Sequence, residues 1–236
     1  MQLLGSLIFT TYLFVSTAVF SVGVVLSGIF PYPVRHAVAS SWAGTNLWVL
    51  KLCCRLDYRV EGTGNIPPGN HISMWKHSSA WETLSQLLIF PPQAWVLKHE
   101  LTWIPVLGWA IHMMRPIAID RGSGHVAVNQ VLEQGKQRLE AGLWILVFPE
   151  GTRMAPGTTR KYGISGALLA TQTGRLVVPV AHNAGYYWPR RGLLKKPGTI
   201  RVVIGEPIDP RGLEPRELNE RIQAWIEATV AALTPT

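Results

Sequence analysis

The sequence predicts an α/β fold: a largely parallel central sheet flanked by helices, preceded by an N-terminal hydrophobic membrane-attachment helix or two-helix motif. Three observations predict it. From Tyr58 onward, strand-sized apolar runs alternate with helix-like stretches, the pattern of a sheet with helical crossovers. Several of those runs are apolar nearly throughout, as strands covered on both faces are. Ahead of them, Leu3 to Phe30 carries no charge, and at about 1.5 Å per residue a helix of that length exceeds the roughly 30 Å hydrocarbon core of a bilayer. With 236 residues, 47% of them hydrophobic, and no Pro/Gly/Ser-rich linker, the chain divides into an anchoring segment, residues 1–56, and one α/β domain, residues 57–236.

The elements follow in order. Leu3 to Phe30 is too long, and its start too free of charge, for a cleaved signal peptide, so it is read as a signal anchor. The first basic residues, Arg35, Lys51 and Arg55, all come after it, which by the positive-inside tendency puts the rest of the chain at the cytoplasmic face of the membrane. Ala37 to Cys54 is apolar but mixed with Ser, Asn and Gly, as suits a partner helix folding back on the first at the interface. Then "YRV", "HISMW", "AWVLK", "PIAI", "LWILVF", "LVVPVA" and "IRVVI" read as strands. Trp81 to Ile89, Leu101 to Met114, Val126 to Ala141, Ile164 to Thr173 and Leu213 to Leu233 read as helices. In the last, Leu218, Ile222 and Ile226 recur every four residues and mark a core-facing stripe.

The formal charge of +8 favours anionic partners. With a membrane segment present, the headgroups of an anionic membrane surface are expected and nucleic acid is not, while phosphorylated substrates and acidic proteins stay open. Cys53 and Cys54 are adjacent and lack metal-ligand spacing, so they are read as reduced thiols, and no metal site is expected.

In such sheets ligands bind beyond the carboxyl ends of the strands. Trp75-Lys76-His77, Asp120-Arg121 and Pro149-Glu150-Gly151-Thr152-Arg153 each follow a strand directly. Five residues turn a regular helix by about 140°, so His77 and Glu82 meet only if His77 precedes the helix. Ser79-Ala-Trp-Glu82 has the capping-box pattern, with Ser79 as N-cap. That leaves His77 in the loop, able to donate one ring N–H to Glu82 and present its other nitrogen to a substrate proton. Gly151 lets the backbone approach a ligand, and Thr152 and Arg153 offer a hydroxyl and a planar cation suited to phosphate.

In this order and spacing, the chain resembles the 1-acylglycerol-3-phosphate acyltransferase (lysophosphatidic acid acyltransferase) family over roughly residues 60 to 190. His77 to Glu82 matches its His-x4-Asp motif with Glu in place of Asp. Ile117 to Arg121 matches its strand ending in Asp-Arg, with Arg115 and Ala118 where a Gly and an aromatic are usual. Pro149 to Arg153 is its Pro-Glu-Gly-Thr-Arg complete, and Val177 to Val180 matches its apolar run into Pro-Val.

The resemblance implies transfer of a fatty acyl group from acyl-CoA or acyl carrier protein, as co-substrate and with no cofactor, to the hydroxyl of membrane-borne lysophosphatidic acid. His77 becomes the general base and Glu82 its orienting carboxylate. Arg121 and Arg153 become phosphate ligands, with Thr152, Gly151 and Lys98 assisting, and Glu150 orients the arginines. The alternatives are an acyltransferase for another lysolipid and a catalytically silent lipid-binding protein. A serine hydrolase is disfavoured because "GISG", Gly163 to Gly166, is not a nucleophile elbow.

Overall fold

A computed structural model describes residues 2–120, 122 and 124–233. Helix α1 (Gln2–Leu26) runs through a short 3-10 turn into α2 (Tyr32–Cys54), which starts five residues earlier than the composition suggested. Pro31 precedes α2 and Pro33 sits in its first turn, where a missing N–H costs nothing. The two helices form a hairpin, and where they pack, Asn46 Nδ2–H donates to Ser16 Oγ at 3.0 Å.

The domain proper contains strands β1 (Leu56–Glu61), β2 (Ile72–Trp75), β3 (Gln93–Lys98), β4 (Ile117–Ile119), β5 (Trp144–Val147), β6 (Val177–His182) and β7 (Gly198–Ile204). Its helices are α3 (Trp81–Ile89), α4 (Leu107–Met113), α5 (His125–Glu140), α6 (Ser165–Thr173), the short α7 (Ala184–Tyr187) and α8 (Pro215–Leu233). They form an α/β fold around one seven-stranded sheet, ordered β1, β7, β6, β2, β5, β3, β4. Every pair is parallel except β6 with β7.

Alternation along the strands divides the core. Trp75, Leu146, Val178 and Ile200 face a layer made by α1, α2, α3 and α4. Met74, Ile145, Val177 and Ile117 face α5, α6 and α8. The central strands β2, β5 and β6 are buried along their whole length, which is why they read as unbroken apolar runs. Because the three run parallel, their carboxyl ends open on one rim, and the N-terminal hairpin lies across one face beside it.

Helix α1 with the following turn, Gln2–Ile29, is long and apolar enough to cross a membrane. Its outer face exposes Leu4, Ile8, Phe14, Val15, Val19 and Leu26. Its inner face is docked on the domain: Phe9 meets Trp188 edge-on at 5.2 Å between centroids, and the Lys195 N–H donates to Ser6 Oγ at 3.0 Å.

Candidate active site

His77 leaves the end of β2 and stops short of α3, as its spacing from Glu82 requires. Its Nδ1–H donates to Glu82 Oε1 at 2.8 Å. The same oxygen accepts the backbone N–H groups of Ser78 at 2.9 Å and Ser79 at 2.8 Å. Ser79 is not the N-cap: Ala80 takes that place, without a side-chain cap, so of the capping box only the reach of Glu82 back to the Ser79 N–H is present, and Ser79 Oγ accepts the N–H of Trp81 instead. The His77 ring stacks on Phe148 at 4.1 Å between centroids. Ring stacking and the carboxylate together fix the imidazole, leaving Nε2 as the nitrogen with a free lone pair.

Glu82 is fully buried. Burial alone would push its carboxyl up; the His182 and His77 rings and the Ser79 amide outweigh burial and hold it below the usual range. Its second oxygen, Oε2, has no hydrogen-bond partner and lies 3.9 Å from His182 Nε2. His182 is also buried, with Nε2–H donating to the Lys76 carbonyl at 2.8 Å and Nδ1 accepting the Ala184 N–H at 3.3 Å. Burial drives its pKa down against the opposing pull of Glu82. A neutral His182 thus offers Glu82 an N–H dipole, not a charge. His182 is not among the residues that the sequence motifs single out; the available signal was a histidine closing an apolar strand on the ligand-binding rim.

Beneath the loop lies a buried ionic group. Lys76 Nζ contacts Glu150 Oε1 at 2.7 Å and Glu227 Oε1 at 2.9 Å, and Tyr162 O–H donates to Glu227 at 2.6 Å. Glu150 Oε2 accepts the His77 backbone N–H at 2.7 Å. This corrects the expectation for Glu150. Both its oxygens are turned inward, so it fixes the backbone of His77 and, among the described residues, is not paired with Arg153. Burial raises its pKa against the pull of Lys76 and of that amide.

Lys98 does not line the cavity that His77 and Arg153 share. Its side chain is 51% exposed and pairs with Glu100 at 2.5 Å, away from the cavity. Gly151, at φ +67°, and Thr152 are half-buried in the turn that leads to Arg153. Arg121 lies outside the described residues.

His77, Phe148 and Arg153 line a cavity of about 320 Å³. From there the wall is apolar: Phe20 and Val24 of α1, Trp42 of α2, Leu87 of α3, and Ala110 and Met114 from α4 and its end. An imidazole oriented by a carboxylate, a guanidinium and a largely apolar slot therefore share one space. No group of acidic, histidine or cysteine side chains among the described residues has the geometry to hold a metal ion.

The chain is similar to known proteins. A sequence model of the family described as Acyltransferase matches residues 57–183. The chain is 40% identical over 231 residues to the 1-acyl-sn-glycerol-3-phosphate acyltransferase of Pseudomonas aeruginosa, spanning 95% of this chain and 90% of that one. It is 27% identical over 217 residues to the lyso-ornithine lipid O-acyltransferase of the same organism, spanning 81% and 80%. The crystal structure of the 1-acyl-sn-glycerophosphate acyltransferase PlsC from Thermotoga maritima superposes with a TM-score of 0.81 at 25% identity, covering 98% of this chain and 95% of that one. With similarity running the length of the chain and through both N-terminal helices, the protein belongs to the acyltransferase family, among the 1-acyl-sn-glycerol-3-phosphate acyltransferases.

Proposed function

We propose that the enzyme transfers a fatty acyl group from an acyl-CoA or acyl carrier protein thioester to the sn-2 hydroxyl of 1-acyl-sn-glycerol 3-phosphate, making phosphatidate at the cytoplasmic face of the inner membrane. Residues 1–56 attach it there and residues 57–236 carry out the chemistry. The observation that carries this reading is the His77–Glu82 pair opening into an apolar cavity beside Arg153.

In this reading His77 Nε2 takes the proton of the acceptor hydroxyl as its oxygen attacks the thioester carbonyl. Glu82 stabilises the resulting imidazolium, the C–S bond breaks, and the departing thiolate receives the proton. The acceptor is the nucleophile, so no acyl-enzyme and no resident cofactor are needed. Arg153, with Arg121, binds the acceptor phosphate through planar bidentate hydrogen bonds, and Thr152 and the Gly151 backbone assist. The acyl chain lies in the cavity. Attachment to the membrane keeps the lipid chains out of water, where exposure costs about 0.8 kcal/mol per methylene.

The test is thiol release from acyl-CoA, and separately from acyl carrier protein, by the full chain in detergent with and without the acceptor. Release should require the acceptor and fall by about a hundredfold or more in His77→Ala, the loss of a general base. Release that survives in His77→Ala would sink the mechanism, and release with a lyso-ornithine lipid alone would move the acceptor assignment.

A further inference from the structure

Three arginines from three separate elements converge on one tyrosine at the turn of the N-terminal hairpin. Tyr32 opens α2, Arg35 lies one turn further along it, Arg115 follows α4, and Arg138 is in the last turn of α5. The guanidinium carbons of Arg35 and Arg115 each lie 5.6 Å from the centre of the Tyr32 ring. Arg138 Nε–H donates to the Arg115 carbonyl at 2.9 Å, and Arg35 Nη1–H donates to the Met113 carbonyl at 3.2 Å. Among the described residues, none of the three is in a salt bridge with an acidic side chain.

Assembling cations without an anion is unfavourable, and the site shows the cost. Arg138 is held below the usual guanidinium range, first by burial and then by the charge of Arg115. The Tyr32 hydroxyl and Arg35 Nε are buried with no hydrogen-bond partner. Burial, only partly offset by the three arginines, pushes the Tyr32 pKa up to about 12, so its hydroxyl remains a proton donor. Arg115 also adopts φ +54°, a left-handed conformation that favours glycine. The group supplies donors and charge and, among the described residues, lacks a counter-anion. A phosphate, with several oxygens and negative charge, is the chemistry that completes it.

The surroundings indicate where that phosphate comes from. Leu26, Ile29, Phe30 and Val34, at the hairpin turn, are exposed apolar residues, as is Trp109 on α4. Apolar side chains beside basic ones, with an exposed indole, are what a bilayer interface selects: hydrocarbon below, phosphate level above. None of the four residues lines the catalytic cavity.

We propose that Tyr32, Arg35, Arg115 and Arg138 form a binding site for the phosphate of an anionic membrane phospholipid, separate from the catalytic pocket. Such a lipid holds the hairpin turn at headgroup depth. It also sets the cavity-bearing face, whose wall includes Val24, Ala39 and Met114, against the bilayer from which the acceptor arrives. The proposal stands whichever acceptor and donor the enzyme uses.

The test is calorimetric titration of the full chain in neutral maltoside micelles at low salt. The probes are dihexanoylphosphatidylglycerol, dihexanoylphosphatidylcholine, glycerol phosphate and inorganic phosphate. Every protein carries Arg153→Ala, so that this guanidinium contributes nothing. Phosphatidylglycerol should bind tightest, and Arg115→Gly should weaken it by about tenfold, the loss of one charge-assisted hydrogen bond. Adding Arg138→Gln should weaken it further. Arg115→Gly removes the cation while relaxing the backbone, so its thermal midpoint should hold or rise, which separates lost binding from lost fold. Undiminished phosphatidylglycerol binding in the Arg115→Gly/Arg138→Gln protein overturns the site. Inorganic or glycerol phosphate binding as tightly as the lipid, with the same sensitivity to the variants, overturns the membrane assignment and marks a site for a soluble phosphate.

Discussion

Glu82 divides its two oxygens unequally: Oε1 accepts three donors, and Oε2 faces only the distant N–H of His182. Replacing His182 with Leu removes that dipole and leaves the carboxylate's charge less stabilised, so the Glu82 carboxyl should move up from its lowered value. The acid limb of the pH dependence of kcat/KM is then expected to move to higher pH. A purely structural role would lower kcat/KM across the range and leave the limb where it was. Glu82→Gln keeps an oxygen for the two amides and loses the charge, so it should cost the chemical step while changing KM little; a KM effect alone would contradict the orienting role. The His77–Glu82 contact was legible in the sequence because both partners lie within one turn of a local capping pattern. His182, Lys76 and Glu227 were not, since 106 residues separate His182 from the carbonyl that holds it and 151 separate Lys76 from Glu227. Only the sheet brings them together.

At the level of elements, periodicity located nearly every strand and helix, and the misses have local causes. Leu101 to Met114 was read as one helix, but Pro105 divides it. Ile104 before the proline is extended, at φ −65° and ψ 121°, as the steric rule for that position requires. A 3-10 stretch, His99–Trp103, precedes the break and α4 follows it. Strand β7 pairs antiparallel with β6, a reversal that an apolar run of its length does not announce. The hairpin of α1 and α2 gives two predictions of opposite sign. A Cβ on Gly5 would run into the Cys53 carbonyl oxygen, which is backbone and cannot swing away. Gly5→Ala should therefore force the helices apart and cost about 1–3 kcal/mol. A Cβ on Gly44 meets nothing within 4 Å, so Gly44→Ala should gain up to about 1 kcal/mol from helix propensity. Thermal midpoints of the two variants in one detergent check the pair. Equal shifts would mean that α1 does not pack on α2 at that crossing.

Across the whole molecule, the C-terminal helix is joined to the loop that carries His77 by the buried group of Lys76, Glu150, Glu227 and Tyr162. Lys76→Met strands two carboxylates and is expected to destabilise by about 3–5 kcal/mol, the cost of breaking a buried ion pair from one side. Adding Glu150→Gln should recover part of it. The buried histidines set the response to acid. Burial lowers the pKa of His182, and also those of the less buried His36 and His71. The unfolded chain takes up protons near pH 6.5, whereas the folded chain does so only at lower pH. Each group therefore contributes stability that is complete above about pH 6.5 and is lost as pH falls toward its folded value. For His182 the slope reaches at most about 1.4 kcal/mol per pH unit; the half-exposed His36 and His71 add less because water screens them. Glu82, held below its usual range, adds a loss of the same sign at still lower pH, starting near pH 4.3. Glu150 works the other way, since its raised pKa gives stability that fades as pH rises. Between pH 7.5 and 5.5 the histidines outnumber it, so the denaturant midpoint should fall on acidification. It should fall less steeply in His182→Gln, which keeps hydrogen-bonding groups at that position and has no titrating one. A midpoint that held or rose over that range in the unaltered protein would mean that the rim of the sheet admits water and a proton to His182, and that the dipole facing Glu82 is a charge after all.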